Sequence, residues 1–533
     1  MSRKTFLQGA VVLGAAGLVI KVLGAFFRIP LANLIGDEGM GYYQTAYPIY
    51  VLFLVLSTSG IPIAISKLVS ERTAIEDHYE AHRIFRISFI LLFGIGIFSF
   101  TVVFFGAELI VGWLKNPGAV YAMRAIAPAL LFVPVMAAYR GYFQGMQDMK
   151  PTAASQIVEQ FFRVALGLGL AVLLIAQGPK FSAAGATFGA AAGAVAGAAA
   201  IIAVYLRKRK HIKNKINEEY RAKEEKTSAI LYKIFTIAIP VTIGAAIMPI
   251  MNAIDVAIVM RRLQDTGFSE AAANSLYGQL TGMAAPLINF PGVLSIAVAT
   301  SLVPAIAAAN ERGDTAFLKY NTELGMRTAM LIGLPCAFGL MTLAEPIMTL
   351  LYPFQYDSAV NAAPNLFILA FGIIFLSTVQ TLTGVLQGLG RQTIPVVNLL
   401  IGGVFKIAIT FMLTGIPWIN VKGAAIGTVT AYIVASALNM AAVEKYTGTR
   451  FNKKLTFLKP LLSAFVMSAI VALVYFLISH ILGNSMAVLI AVGTGAAVYG
   501  AMLFATRSIT QEEIAKLPKG EKLLALWRKV RKP

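Results

Sequence analysis

Lys21 and Arg28 lie inside the first long apolar stretch of the chain, which runs from about Thr5 to Ile35. Seven residues is two turns of an α-helix, so both cations point the same way. A cation at bilayer depth costs roughly 2.5–3.5 kcal/mol on insertion scales. Two of them on one face imply a hydrated or anion-holding cavity rather than lipid. A second constellation follows at Gln156, Glu159, Gln160 and Arg163, spaced i, i+3, i+4 and i+7, with Ile157, Val158, Phe161, Phe162 and Val164 on the other face. Lipid offers such a polar stripe no partners, so it must look inward. Glu159 and Arg163 can pair across one turn. That leaves two readings: a buried ion pair joining helices, or one wall of a cavity. Together the two constellations imply transport of something negatively charged.

Other polar side chains have competing readings. Lys67 follows Ser57-Thr58-Ser59-Gly60 and Pro62, and either snorkels to the interface or joins the cavity. Arg140, in AAYRGYFQG, has the same two options. Tyr42, Tyr43, Tyr47 and Tyr50 fit an interfacial aromatic belt or a set of sugar-facing hydroxyls. In the second half, Asp255 is a candidate to bind a coupling cation, to pair with a first-half cation or to face the outer vestibule. Lys406 sits mid-segment, with Asn398 two turns before it. The histidines give no catalytic or metal set: His78, His82 and His211 read as polar-loop residues and His480 as interfacial, with no HExxH pattern. No P-loop or GxSxG occurs, so the chain is not expected to hydrolyse ATP or to be an enzyme. No metal site is expected. The single cysteine, Cys336, is expected to be a buried small hydrophobe.

These residues are carried by elements that composition defines. Of the 533 residues, 58% are hydrophobic and 13% charged, against roughly 25% charged in soluble domains. This is a polytopic membrane protein, all-α, and its net charge of +20 reflects topology rather than nucleic-acid binding. Stretches long enough to cross a bilayer occur at about 5–35, 40–70, 84–107, 119–146, 152–177, 182–206, 229–260, 271–309, 319–344, 360–389, 394–416, 421–444, 457–482 and 486–506, about fourteen in all. The first resembles a signal peptide but is too long and contains Lys21, so it is read as a retained span. Basic runs at 207–215, at Lys445, Arg450, Lys453 and Lys454, and after Arg507 fall on one side if the spans alternate. Both termini are therefore expected in the cytoplasm. The tail carries a capping box at Thr510–Glu513 and a basic segment from Lys522 to Lys529, which reads either as a surface helix or as a solvated tail.

The chain also echoes itself at an offset of about 240 residues. Gln144-Gly145 recurs as Gln387-Gly388, Arg163 has its counterpart in Lys406, and Gly185–Gly189 resembles Gly423–Gly427. Six spans per repeat make two parallel six-helix lobes. The expected organisation is a lobe over 1–206, a basic linker over 207–228, a second lobe over 229–445, two additional helices over 457–506 and a basic tail over 507–533.

The segments LGAFFRIPLANLIGDEGMGYY, SGIPIAISKLVSE, YFQGMQDMKPTAASQIVEQFFRV and LQGLGRQTIPVVN resemble the multidrug/oligosaccharidyl-lipid/polysaccharide (MOP) exporter superfamily. Within it they resemble the MurJ-type lipid II flippases and stage V sporulation protein B-like proteins. The resemblance covers essentially the whole chain. It implies a V-shaped, alternating-access pair of lobes in the bacterial plasma membrane, with a cationic cavity for the pyrophosphate of an undecaprenyl-linked glycan and two further helices lining a groove for its tail. Lys21 matches a cation of the family's first helix, and Arg28 lies one position past a second. The family's second-helix arginine has no counterpart here, so Arg163 and Lys67 are its substitutes, with Arg140 as a further contact. A sodium site in some members uses carboxylates of the seventh and eleventh spans; here Asp255 fits the first, and the eleventh offers Asn398. Sodium or proton coupling is left open, and no other cofactor is expected. Expected partners are the lipid-linked glycan, membrane lipids and the cell-wall synthesis machinery. Alternatives are export of a capsule or teichoic-type unit, cation-coupled drug export, and a membrane glycosyl- or phosphotransferase. The last would need an acid cluster in an outer loop, where Asp37, Glu38 and Asp357 are scattered.

Overall fold

The computed structural model describes residues 3–217 and 225–508, with side chains described except at 3–15, 18, 21–22, 25–26, 211, 213 and 215–217. The basic tail, with its capping box, lies outside the described residues, as does the 218–224 part of the linker. Every regular element among the described residues is helical. An apolar chain must satisfy its backbone internally where no water is available, and a helix does this within one segment. Twelve helical stretches are long and apolar enough to cross a membrane. Two of them turn at a left-handed glycine, Gly36 (φ 71°) and Gly483 (φ 74°), where a Cβ would be strained. Those two turns separate the first span from the second and the thirteenth from the fourteenth.

The chain forms two compact units, Met1–Met283 and Ala284–Pro533. The first contains α1 (Arg3–Thr58, turning at Gly36), α2 (Ile61–Ala74), α3 (His78–Phe105), the short α4 (Ala107–Trp113) and α5 (Val120–Ile126), α6 (Ala129–Gly145), α7 (Lys150–Leu173), α8 (Pro179–Asn217), α9 (Thr227–Asp265) and α10 (Glu270–Gly278). The seventh span, α9, thus belongs to the first compact unit, where Ile230, Ile234 and Ala238 join a core with Ile61, Ile65, Ile84, Phe85 and Tyr142. The second unit contains α11 (Ala285–Glu311), α12 (Thr315–Thr342), α13 (Ala344–Leu351), α14 (Tyr356–Gly388), α15 (Thr393–Thr414), α16 (Lys422–Thr447) and α17 (Lys459–Ala505, turning at Gly483). Its core runs through Leu302, Ile306, Met330, Leu382, Leu386 and Met467.

The sequence echo is a repetition of contacts. In the first unit a Cβ on Gly141 or Gly145 would press on the carbonyls of Pro62 and Ser66; in the second, Gly384 and Gly388 stand in the same relation to Ala299 and Val303. Gly189 faces the Arg163 carbonyl, and Gly427 faces that of Lys406. The helix starts repeat as well. Asp77 caps α3 by accepting from the Glu80 N–H at 3.0 Å, and Asp314 caps α12 by accepting from the Phe317 N–H at 2.9 Å. Between membrane helices there is no hydrophobic drive, so close backbone approach through small residues supplies the attraction.

A long seam of this kind lies under the polar stripe. Gly185, Gly189, Gly193 and Gly197 form one line on α8, four residues apart, and meet the carbonyls of Leu170, Arg163, Glu159 and Ser155 on α7. A Cβ on Gly193 would sit 2.5 Å from the Glu159 oxygen, whereas one on Gly169 of α7 meets nothing within 4 Å. Gly193→Ala should therefore destabilise by about 1–3 kcal/mol, the usual cost of overpacking, and lower the melting temperature of the purified protein. Gly169→Ala should leave it unchanged or raise it. Equal melting temperatures for Gly193→Ala and the parent would show that the seam does not hold the two helices at this spacing.

Candidate functional site

Helix α7 starts with Pro151 in its first turn, where the missing N–H costs nothing. The glycine seam on α8 holds one side of it, so the stripe is presented toward α6 and α1. Glu159 is the centre of what results. Its Oε1 accepts from Arg163 Nη2 at 2.6 Å, and its Oε2 accepts from Arg140 Nη2 of α6 at 3.0 Å. Arg140 also donates through Nε to Ser155 Oγ at 2.9 Å, and Ser155 donates onward to the Thr152 carbonyl. The three side chains are 14–19% exposed, so the cluster is largely removed from water. The geometry is that of the ion-pair reading of the stripe: Glu159 joins α7 to α6, and it joins two cations to a single acid.

A third guanidinium comes from α1. Arg28 makes no ion pair among the described residues, and its charge and that of Arg163 both bear on the Tyr43 hydroxyl. Arg163 is also within electrostatic reach of Tyr47 and Tyr50. Tyr43 and Tyr47 are stacked, with ring centroids 5.6 Å apart. Tyr43 and Tyr50 are only 5% and 1% exposed, so they line this interior rather than an interfacial belt. Two buried polar atoms in the region, Tyr50 Oη and Arg163 Nε, have no hydrogen-bond partner among the described residues. Gln160 is buried against α1, its amide nitrogen lying 3.7 Å from the place a Gly24 Cβ would take, and Gln156 is half-buried on the same stripe.

The remaining residues singled out from sequence lie elsewhere. Lys21 is in α1, but its side chain is outside the described residues. Lys67 is 60% exposed and pairs with Glu71 at 3.9 Å on α2, so it does not join the arginine cluster. Asp255, in α9, is half-buried and acts electrostatically on the Tyr277 hydroxyl. In the second unit, Asn398 donates to Asn439 Oδ1 at 2.8 Å, and Lys406 is half-buried on α15. His78 and His82 belong to the first turns of α3, not to a loop.

Sequence reasoning missed a second buried polar cluster in the first unit. Asn116 and Asn274 exchange side-chain hydrogen bonds at 2.8 and 2.9 Å, and Asn116 also donates to Thr45 Oγ1 at 2.8 Å. Gln279 donates to Asp37 Oδ2 at 2.8 Å, and Gln44 to the Thr281 carbonyl at 2.6 Å. Here two glycines cross reciprocally: Gly41 meets the Asn274 carbonyl and Gly278 meets that of Asp37. Asp37 and Gly41 have the spacing of Asn274 and Gly278, so equivalent pieces of the two repeats embrace each other. The available signal was that repeat relation, which aligns Asp37-x-x-x-Gly41 with Asn274-x-x-x-Gly278.

Comparison with known proteins sets this cation cluster inside a known family. The family model described as "Polysaccharide biosynthesis protein" matches residues 6–310. Stage V sporulation protein B of Bacillus subtilis (strain 168) is 29% identical over 524 residues, covering 97% of this chain and 98% of that protein. Lipid II flippase MurJ of the same organism is 27% identical over 529 residues, covering 94% and 95%. Among solved structures, lipid II flippase MurJ in an inward closed conformation superimposes with a TM-score of 0.68 at 17% identity, covering 92% of this chain and 98% of that one. An inward-facing MATE transporter of the MOP superfamily gives 0.69 at 14% identity, covering 82% and 98%. With more than half its length matched by the family model and its fold shared with these transporters, the chain belongs to the polysaccharide biosynthesis protein family.

Proposed function

We propose that this protein is a flippase that carries an undecaprenyl-pyrophosphate-linked cell-wall precursor, lipid II-like, from the inner to the outer leaflet of the bacterial plasma membrane. The observation that carries the reading is the arginine cluster: Arg28, Arg140 and Arg163 with one carboxylate, Glu159, among them. Such a site carries two positive charges in excess of its acid. Moving a diphosphate and its sugar through hydrocarbon would strip both of water at large cost. Guanidinium forks replace that water bidentately. Lys21, in the same helix as Arg28, would add a fourth cation.

In this mechanism Glu159 holds Arg140 and Arg163 in place while the site is empty. An arriving diphosphate competes with the carboxylate for the two guanidiniums, so the anion is received without desolvating free cations first. Tyr43, Tyr47 and Tyr50 present hydroxyls beside the same charges and suit the sugar. Outward movement of negative charge is favoured by an inside-negative potential, by about 2.3 kcal/mol per charge per 100 mV. Asp255, Asn398 and Lys406 remain candidates for coupling to sodium or protons. Export of a capsule or teichoic-type repeat unit would use the same chemistry, and the glycan distinguishes the two. A cationic drug, by contrast, would be repelled by this cluster.

Arg163→Ala, Arg28→Ala and Lys21→Ala should each lower leaflet translocation of lipid II in proteoliposomes at least tenfold, with normal membrane accumulation. Full transport by all three would overturn the assignment. Glu159→Gln keeps an acceptor oxygen for one of the two arginines and should be milder than Arg163→Ala; an equal loss would make proton uptake by Glu159 part of the cycle.

The reading also places both termini and the 207–215 basic run in the cytoplasm. In a Cys336→Ala background, Asn214→Cys should react with an impermeant maleimide only from the inside, and Phe354→Cys only from the outside. The opposite pattern would invert the direction of transport.

A further inference from the structure

A second cationic site lies away from the arginine cluster. A cavity of about 720 Å³ opens between the first turns of α3 and the last turns of α8. Helix α3 contributes His82, Arg83 and Arg86 to it, and α8 contributes Tyr205 and Arg209. His82 with Arg86, and Tyr205 with Arg209, are i, i+4 pairs, so each helix presents an aromatic ring and a guanidinium on one face. The rings form the floor. His82 stacks on Tyr205 at 6.4 Å with an interplanar angle of 6°, and meets Tyr142 edge-on at 5.8 Å.

The charges in this cavity are not balanced. Arg83 is committed, donating to Glu80 at 3.1 Å, to the Glu225 carbonyl at 2.5 Å and to Thr227 Oγ1 at 3.2 Å. The nearby acids are committed too: Glu80 to Arg83, and Glu225 to Arg72 at 2.7 Å and Lys233 at 2.5 Å. Arg86 and Arg209 make no ion pair among the described residues, and both charges bear on His82. His82 Nδ1 is buried without a hydrogen-bond partner among the described residues. Two guanidiniums held over one cavity repel each other, and an anion between them removes that cost.

The apolar surroundings decide which anion. Ile87 and Ile90 line the same cavity. From Ile90 an exposed apolar stripe continues along α3 through Phe93 and Ile97, at i+3 and i+7, with exposures of 67%, 45% and 43%. The cavity is thus a polar mouth at the end of a lipid-facing stripe. A free phosphate would use only the mouth, whereas an amphiphile uses both. Basic pockets between membrane helices at the interface suit anionic lipid head groups.

We propose that this cavity binds the phosphodiester of an anionic diacyl phospholipid, with Arg86 and Arg209 on the phosphate and the acyl chains along Ile90, Phe93 and Ile97. The bound lipid would bridge α3 and α8 without taking part in transport.

The test is retention of lipid by the purified full chain in detergent, read by native mass spectrometry. Phosphatidylglycerol, phosphatidylcholine and inorganic phosphate are the probes. Phosphatidylglycerol should bind at least tenfold more tightly than phosphatidylcholine. The double variant Arg86→Gln/Arg209→Gln should lose that preference, while Arg312→Gln, at an exposed arginine of the second unit, should keep it. Both mutated arginines are exposed, so the fold should be unaffected, and an unchanged melting temperature in neutral detergent checks this. Equal binding of the two lipids, or an unchanged preference in the double variant, would overturn the proposal. Displacement of phosphatidylglycerol by millimolar inorganic phosphate, with phosphate itself retained, would assign the site to a free anion and overturn the lipid. None of these readouts depends on flipping, so failure here would leave the proposed transport function untouched.

Discussion

One carboxylate shared between two guanidiniums is the constraint on which the first unit depends. Glu159 is fixed by Arg163 one turn away on α7 and by Arg140 on α6. Breaking a buried pair from one side costs roughly 3–5 kcal/mol, because the remaining charge is stranded. Here the acid is satisfied twice, so either arginine can turn toward a ligand while the other still neutralises Glu159. An equal number of acids and bases would give a rigid strut with no charge to offer. A pair of bare arginines would give an open site that costs too much to keep empty. The two-to-one ratio avoids both extremes.

That ratio can be held at membrane depth because the backbone beneath it is packed without side chains. The glycine line on α8 touches α7 at the carbonyls of the residues that carry the charges, Ser155, Glu159 and Arg163. The second unit keeps the same architecture with different chemistry. Gly427 faces the Lys406 carbonyl as Gly189 faces that of Arg163, but the neighbouring polar contact there is an asparagine pair, Asn398 with Asn439. The duplication therefore preserved a way of packing helices and left the polar groups on them free to diverge.

Much of the fold was legible in the sequence. The span limits follow from hydropathy, and the turns inside α1 and α17 fall at glycines between apolar runs, Gly36 and Gly483. The stripe at 156–163 follows from helical spacing, since a polar face in an apolar segment has only one place to go. What was not legible depends on which helix sits opposite. The spacing of Arg140 says nothing of Glu159. Tyr43, Tyr47 and Tyr50 have the composition of an interfacial belt and became interior because α1 packs against α7. His82 reads as a loop residue among charges, until Asp77 caps α3 and draws it into the second turn. Asn116 and Asn274 are ordinary amides in sequence; only the crossing of Gly41 and Gly278 makes them reciprocal partners. Lys67 shows the converse, a cation that sequence placed with the cluster and that the fold leaves exposed beside Glu71.

The central claim is that the arginine cluster recognises a diphosphate. The most direct measurement is equilibrium binding of undecaprenyl pyrophosphate against uncharged undecaprenol, to the purified protein and to Arg163→Ala. The account predicts that the pyrophosphate binds at least a hundredfold more tightly than the alcohol, and that most of this difference disappears in the variant. Equal affinity for the two lipids in the parent protein, or a preference that survives loss of Arg163 undiminished, would contradict it.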